Sequence, residues 1–340
     1  MVVVSAQRSG YFEAGQRYGE LSLRFRTKFS DTSWASQTEA LYYGVTYSWT
    51  HPAKDGISPL RSVRTHARTR GDKETSTIAA NILCVLEFDL IPIPQLVDKI
   101  IEYHHSMRAW GQGFNLGLLH PISYIVVKCS GKHADLFPAV SEADACISSF
   151  RREVNSASLL LQWSHLAVMW CYFIFGEFDE AVRAAQFCSF VLEHPHGLGD
   201  ATMGCLCDYL LTIARLRLNR GNAGLIWRAR KRIKQFRCWV DLCPVNFLGK
   251  LYLVEAEWAS LWGNDKKAHR KYVSSISLFK DHGSYQYTAV ATELAGKHFL
   301  RIRNRTEGER FLRQAIGRYH EWGGHAKADH LATEAKRLYM

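Results

Sequence analysis

The sequence predicts an all-α fold, a superhelix of helical hairpins stacked at long repeats of about 40–45 residues. Three observations carry this. First, Gly176-Glu177-Phe178-Asp179-Glu180-Ala181 recurs as Gly263-Asn264-Asp265-Lys266-Lys267-Ala268. Gly serves a bend, the next residues open a helix, and Ala lets that helix approach its neighbour. Second, apolar residues return at helical spacing along most of the chain. Third, no run alternates with period two between turn residues, as a half-buried strand would; Ile122 to Val127 is the one ambiguous stretch.

The spacing of the bends sets the repeat. Gly176, Gly221 and Gly263 lie 45 and 42 residues apart, and the next turn falls near Arg303, 40 further on. These periods exceed the roughly 34 residues of a tetratricopeptide and approach the HEAT length, so the hairpins are tetratricopeptide-like with long helices. Ala184, Ala185 and Cys188 follow the first motif as small residues where helices cross. Tyr272 and Ser275 follow the second as a bulky and a small one. Gly10-Tyr11-Phe12-Glu13-Ala14-Gly15 reads as the same entry, followed by Tyr18, Gly19 and Ser22. Met1 to Ser9 is too short for a partner helix, so the chain is expected to begin inside a repeat.

The elements follow in order. A helix is expected over 34–50, with Trp34, Leu41, Val45 and Trp49 on one face, then over 57–70 and over 74–90, with Ile78, Ile82, Val85 and Leu86. Pro94 opens the next, through Ile100, Ile101 and Met107. Further helices are expected over 114–129, 156–175, 178–193, 201–219, 223–241, 246–262, 266–281, 285–302, 306–322 and 326–338. The pattern lapses around Gly131 and Pro138. The expectation is one solenoid over 1–340, with an irregular segment 131–154 as the seam if it divides into halves 1–130 and 155–340.

Composition narrows the classes. Apolar residues make up 47%, enough for a continuous core. Nine cysteines without a CxxC pair fit free thiols in a reducing compartment, and no signal peptide is visible, so a cytoplasmic location is expected. Ser158 to Phe175 is the most apolar stretch, but Gln162, Ser164 and His165 mark it as a buried helix and not a membrane span. Gly131-Lys132, Gly249-Lys250 and Gly296-Lys297 lack the earlier glycine and following hydroxyl of a phosphate loop. No kinase triplet and no Gly-x-Ser-x-Gly elbow occurs. His320 and His325 are five apart with two glycines between, so they do not share a helix face for a metal. His104-His105 and His194-Pro195-His196 read as structural histidines. No catalytic activity, metal or cofactor is expected.

The charge is more informative. The net charge is +11, and nine Lys/Arg with no acid lie between Asp208 and Asp241. After Gly221, Ala229, Ile233, Phe236 and Val240 form an apolar stripe, while Arg228, Arg230, Lys231, Arg232, Lys234 and Arg237 cover the other faces. Arg61, Arg64 and Arg68 form a second basic stripe. Such faces commonly serve solubility alone. As a site they would dock an acidic protein segment or a phosphorylated ligand; nucleic acid is the weakest reading, because a basic face alone is a poor indicator of it.

Three late blocks carry a resemblance: Val245 to Glu257, Thr292 to Leu300, and Tyr319 to Lys327. With Gly10 to Leu23, they resemble the tetratricopeptide-like region of a family of large multidomain signalling proteins. Those join a kinase-like domain, an AAA/STAND-type ATPase, this helical region, a GAF domain and a histidine kinase or other output domain. The likeness spans roughly residues 8–338, with departures at Gly249, where histidine is usual, and Gly324, where alanine is. The resemblance implies a non-catalytic module that contacts a protein partner or the flanking ATPase and kinase domains. No catalytic residue of the family maps onto this stretch.

Overall fold

The computed structural model describes residues 9–28, 33–140, 142–154, 158–193 and 199–339. Among these no strand occurs. α1 (Ser9–Lys28) and α2 (Ser33–Leu41) are followed by one π-helical and two 3-10 turns. Then come α3 (Ile57–Thr69), α4 (Lys73–Glu87), α5 (Ile93–Ala109), α6 (Gly113–Ser130), α7 (Ala143–Val154), α8 (Ser158–Ile174), α9 (Phe178–Gln186) and α10 (Ser189–Glu193). The rest is α11 (Gly199–Leu218), α12 (Ala223–Leu242), α13 (Pro244–Leu261), α14 (Asp265–Asp281), α15 (Tyr285–Arg301), α16 (Arg305–Trp322) and α17 (His325–Tyr339). Sequential helices pack as neighbouring pairs, so the chain is an all-α helical superhelix.

One turn design recurs between helices. Gly263 takes a left-handed φ of 74°, and the Asn264 amide reaches back to the Ala259 carbonyl at 2.9 Å. The Asn264 side chain then accepts the Lys267 amide and caps α14. At the next hairpin Arg303 holds the left-handed position, the Asn304 amide bonds the Phe299 carbonyl, and the Asn304 side chain caps α16. Gly71-Asp72 repeats the design before α4. Ala181 and Ala268 of the recurring motif are both fully buried where paired helices cross. Tyr272 and Ser275 are buried too, and the Ser275 hydroxyl donates to the Gly249 carbonyl at 2.8 Å.

Local departures have local causes. The helix expected over 34–50 stops being α-helical at Leu41 and passes into a π-helical turn over 42–46. Gly44 lies against Ile82 there, so close that a Cβ would stand 2.6 Å from Ile82 Cδ1. The stretch 178–193 is broken at Phe187 and Cys188 into α9 and α10. Gly10 lies within the first turn of α1 and not in a bend. Segment 131–154 is not wholly irregular, since α7 occupies its second half. Ile122 to Val127 is helical, inside α6. His194, Pro195 and His196 fall outside the described residues.

The superhelix also folds back on itself. Asp89, in the turn after α4, accepts the amides of Gln286 and Tyr287 on its carboxylate, and its own carbonyl accepts the Tyr285 amide. It thereby caps α15 from 197 residues away. Asn246 donates to the carbonyls of Ser48 and His51 and accepts the Ala53 amide. Trp49 packs between Trp239 and Phe247, and the Trp322 indole donates to the Phe88 carbonyl. A cavity of about 160 Å³ remains at this junction, with Asp89 and Lys250 in its wall.

Candidate functional site

Successive hairpins leave a groove between the ends of α8, α11, α13, α15 and α17, with a volume of about 750 Å³. Its walls mix signs. α15 contributes Glu293, Lys297 and Arg301 on one face, at i, i+4 and i+8. α11 adds Arg215 and Arg217, α13 adds Glu257, and α17 adds Glu334. Phe178 and Leu218 supply an exposed apolar rim.

Two buried acids hold these charges in place. Glu257 accepts from Arg217 at 2.9 Å and from the Tyr272 hydroxyl, with Arg301 at 3.9 Å. Burial alone would raise its pKa, but the two guanidinium groups outweigh that and hold the carboxyl below its usual range. Glu293 binds Lys297 at 2.9 Å, Lys327 at 3.1 Å and the Tyr319 hydroxyl at 2.7 Å. Its burial is likewise outweighed by the two ammonium groups, which bring it down to about 2. Lys327 itself is fully buried, and that burial lowers its pKa despite Glu293. Lys297 reaches on to Glu334 at 2.9 Å, so the groove wall carries two ionic clusters, one around Glu257 and one around Glu293, both with members on α15. Such a wall presents fixed charges of both signs, suited to a partner that carries both.

One hydroxyl–imidazole pair adjoins the cluster around Glu257. Ser260 Oγ stands 2.9 Å from His298 Nδ1 and also faces Arg217 and Arg301. Burial, with Arg301 adding to it, pushes His298 down to about 4, so the imidazole is neutral at pH 7. Its Nε2 has no hydrogen-bond partner among the described residues.

No protein-family model and no curated protein matches the chain. No group of metal-ligating side chains converges, and no helix is long and apolar enough to cross a membrane, among the described residues.

The basic stripes expected from the sequence fall into three fates. Arg232 is a correction: it is buried, donating to Asp208 at 2.9 Å and to the Leu192 carbonyl at 2.6 Å. It belongs to the interior because Asp208, 24 residues earlier, comes under α12 when α11 and α12 pair. Arg228 shares that carboxylate. Arg61 pairs with the buried Glu87 at 2.5 Å, Arg64 pairs with Glu102 at 2.5 Å and lies over the Tyr103 ring, and Arg68 reaches Glu102 at 3.6 Å. Arg237 pairs with Glu255 at 2.9 Å. Arg230, Lys231 and Lys234 are exposed on α12, Arg230 near the Trp258 ring and Lys231 over Trp227.

The groove was missed in the sequence although it left a sign there. Glu257 stands within Leu251-Tyr252-Leu253-Val254-Glu255-Ala256-Glu257-Trp258-Ala259, and Glu293 within Ala289-Val290-Ala291-Thr292-Glu293-Leu294-Ala295. An acid on the buried side of an apolar helix needs a partner, and partners about one repeat away are where it finds them.

Proposed function

We propose that this chain is a non-catalytic interaction module whose groove takes a segment of a partner protein, and that it serves signal transduction beside an ATPase or sensor kinase. The observation that supports the groove is its two ionic clusters, Arg217–Glu257–Arg301 and Lys327–Glu293–Lys297–Glu334, both with members on α15. Charges fixed by buried partners lose little freedom when a ligand arrives, which favours binding. The resemblance of the three late blocks supports the signalling context.

The segment it fits carries both signs of charge and an apolar residue for the Phe178–Leu218 rim. Selection from a random 12-residue peptide display library tests this. The expected result is an enriched motif with acidic and basic positions, whose affinity falls about tenfold or more on Lys297→Glu, in a variant with an unchanged helical circular-dichroism spectrum. Enrichment of no motif, or of one indifferent to that change, overturns the groove reading. Steady ATP hydrolysis by the purified chain overturns the non-catalytic one.

The alternative is a free-standing scaffold that binds an acidic or phosphorylated partner through its basic helix faces. Its remaining carriers are the exposed Arg230, Lys231 and Lys234, since most of the other stripe residues are engaged in ion pairs.

A further inference from the structure

A second concavity, of about 350 Å³, opens between α9, α10, α11 and the middle of α12. Arg215, Arg228, Lys231 and Arg232 line it, against two carboxylates, Asp208 and Glu193. The lining is therefore two charges positive. Both oxygens of Asp208 are already engaged, one by Arg228 and the other by Arg228 and Arg232. One carboxylate thus serves two guanidinium groups, with Glu193 also acting on Arg232, and the surplus positive charge of the lining lies with Arg215 and Lys231. Arg232 is 5% exposed and further held by the Leu192 carbonyl and by Gln235 at 2.8 Å, so the floor is rigid. Arg215 and Lys231 have no carboxylate within 4 Å among the described residues. Gln186, Ser189 and Thr212 place neutral polar groups on the same wall, and Trp227 forms an exposed aromatic side.

We propose that this pocket binds a small phosphorylated molecule. A fixed guanidinium floor with further cations in the lining is an arrangement that matches several phosphate oxygens at once. The volume lies at the lower end of ligand pockets, which limits the class to small molecules and excludes a chain of peptide. Lys231 rests 5.3 Å from the Trp227 ring, which places a cation beside an aromatic face on the pocket wall. Arg215 also lines the peptide groove, so an occupant here touches a residue that both sites share. The pocket reading does not depend on the groove reading, because anion titration and peptide selection fail separately.

Inorganic pyrophosphate is the probe, titrated into the full chain by calorimetry at low and at high salt, with succinate in parallel. The expected result is saturable 1:1 binding of pyrophosphate, weakened by salt, with succinate at least tenfold weaker. Lys231→Glu should weaken pyrophosphate at least tenfold, and its fold is checked by an unchanged melting curve. Arg230→Glu and Lys234→Glu, on the same helix but outside the pocket, should change it less than threefold. Equal losses in all three variants would mean a diffuse field around α12 and would sink the site. Absence of saturable binding, or equal affinity for succinate, would do the same.

Discussion

Single residues decide the turns. Arg303 occupies the left-handed position that Gly263 fills one hairpin earlier, with φ 63° against 74°. A Cβ at Gly263 would meet nothing within 4 Å, so substitution there tests the backbone alone. Gly263→Ala should cost about 1 kcal/mol, and Arg303→Gly should not destabilise and should gain up to about 0.5 kcal/mol. Denaturant midpoints with unchanged slopes check both. The recurring Gly was legible in the sequence because turn chemistry is local. Arg303 was legible only as a position, since its conformation is imposed by the hairpin. Burial of charge was less legible. Glu293→Gln leaves the buried Lys327 without its anion and should cost about 3–5 kcal/mol, read as a lowered melting temperature. Removing both charges with Glu293→Leu and Lys327→Met should recover part of that loss, since Lys297 keeps Glu334 while the buried Tyr319 hydroxyl loses its acceptor.

At the scale of elements, α12 shows how far periodicity carries. Its apolar face was legible, and Ala229, Ile233 and Phe236 are buried as the spacing requires. Its basic face was misread at Arg232, because the carboxylate that draws it inward comes from another helix. α7 was legible and was passed over: Ala143, Cys146, Ile147, Phe150 and Val154 recur at helical spacing, but the lapse at Gly131 and Pro138 was extended across them. The cap on α15 was hidden, since Asp89 lies in a distant turn. Burial raises the Asp89 pKa to about 6, against the Ser284, Lys250 and backbone contacts that lower it. A carboxyl that binds its proton more tightly when folded stabilises below the unfolded value near 4, and that contribution is lost as pH rises through about 6. The cap should therefore loosen between pH 4 and 6. Amide hydrogen exchange at Tyr285–Tyr287, corrected for intrinsic rates, should show less protection at pH 7 than at pH 5. Asp89→Asn should remove that difference.

Over the whole molecule, the class of fold was legible and the return of its N-terminal part was not. Helical periodicity reports which face is buried and says nothing of which distant helix buries it. The groove needed the same long-range knowledge, since Arg217, Glu257, Glu293 and Glu334 come from different hairpins. Asn246, with three hydrogen bonds to residues 193 to 198 positions earlier, makes the return dear in time. Hairpins close over short loops and form fast, whereas joining such distant segments requires most of the chain to be ordered first. The seam should then be the last part to form and the first to part. Asn246→Ala should leave the refolding rate nearly unchanged and speed unfolding, by about tenfold for a loss of roughly 1.4 kcal/mol. Stopped-flow measurement of both limbs reads this directly: a slowed refolding limb would instead place the seam in the nucleus.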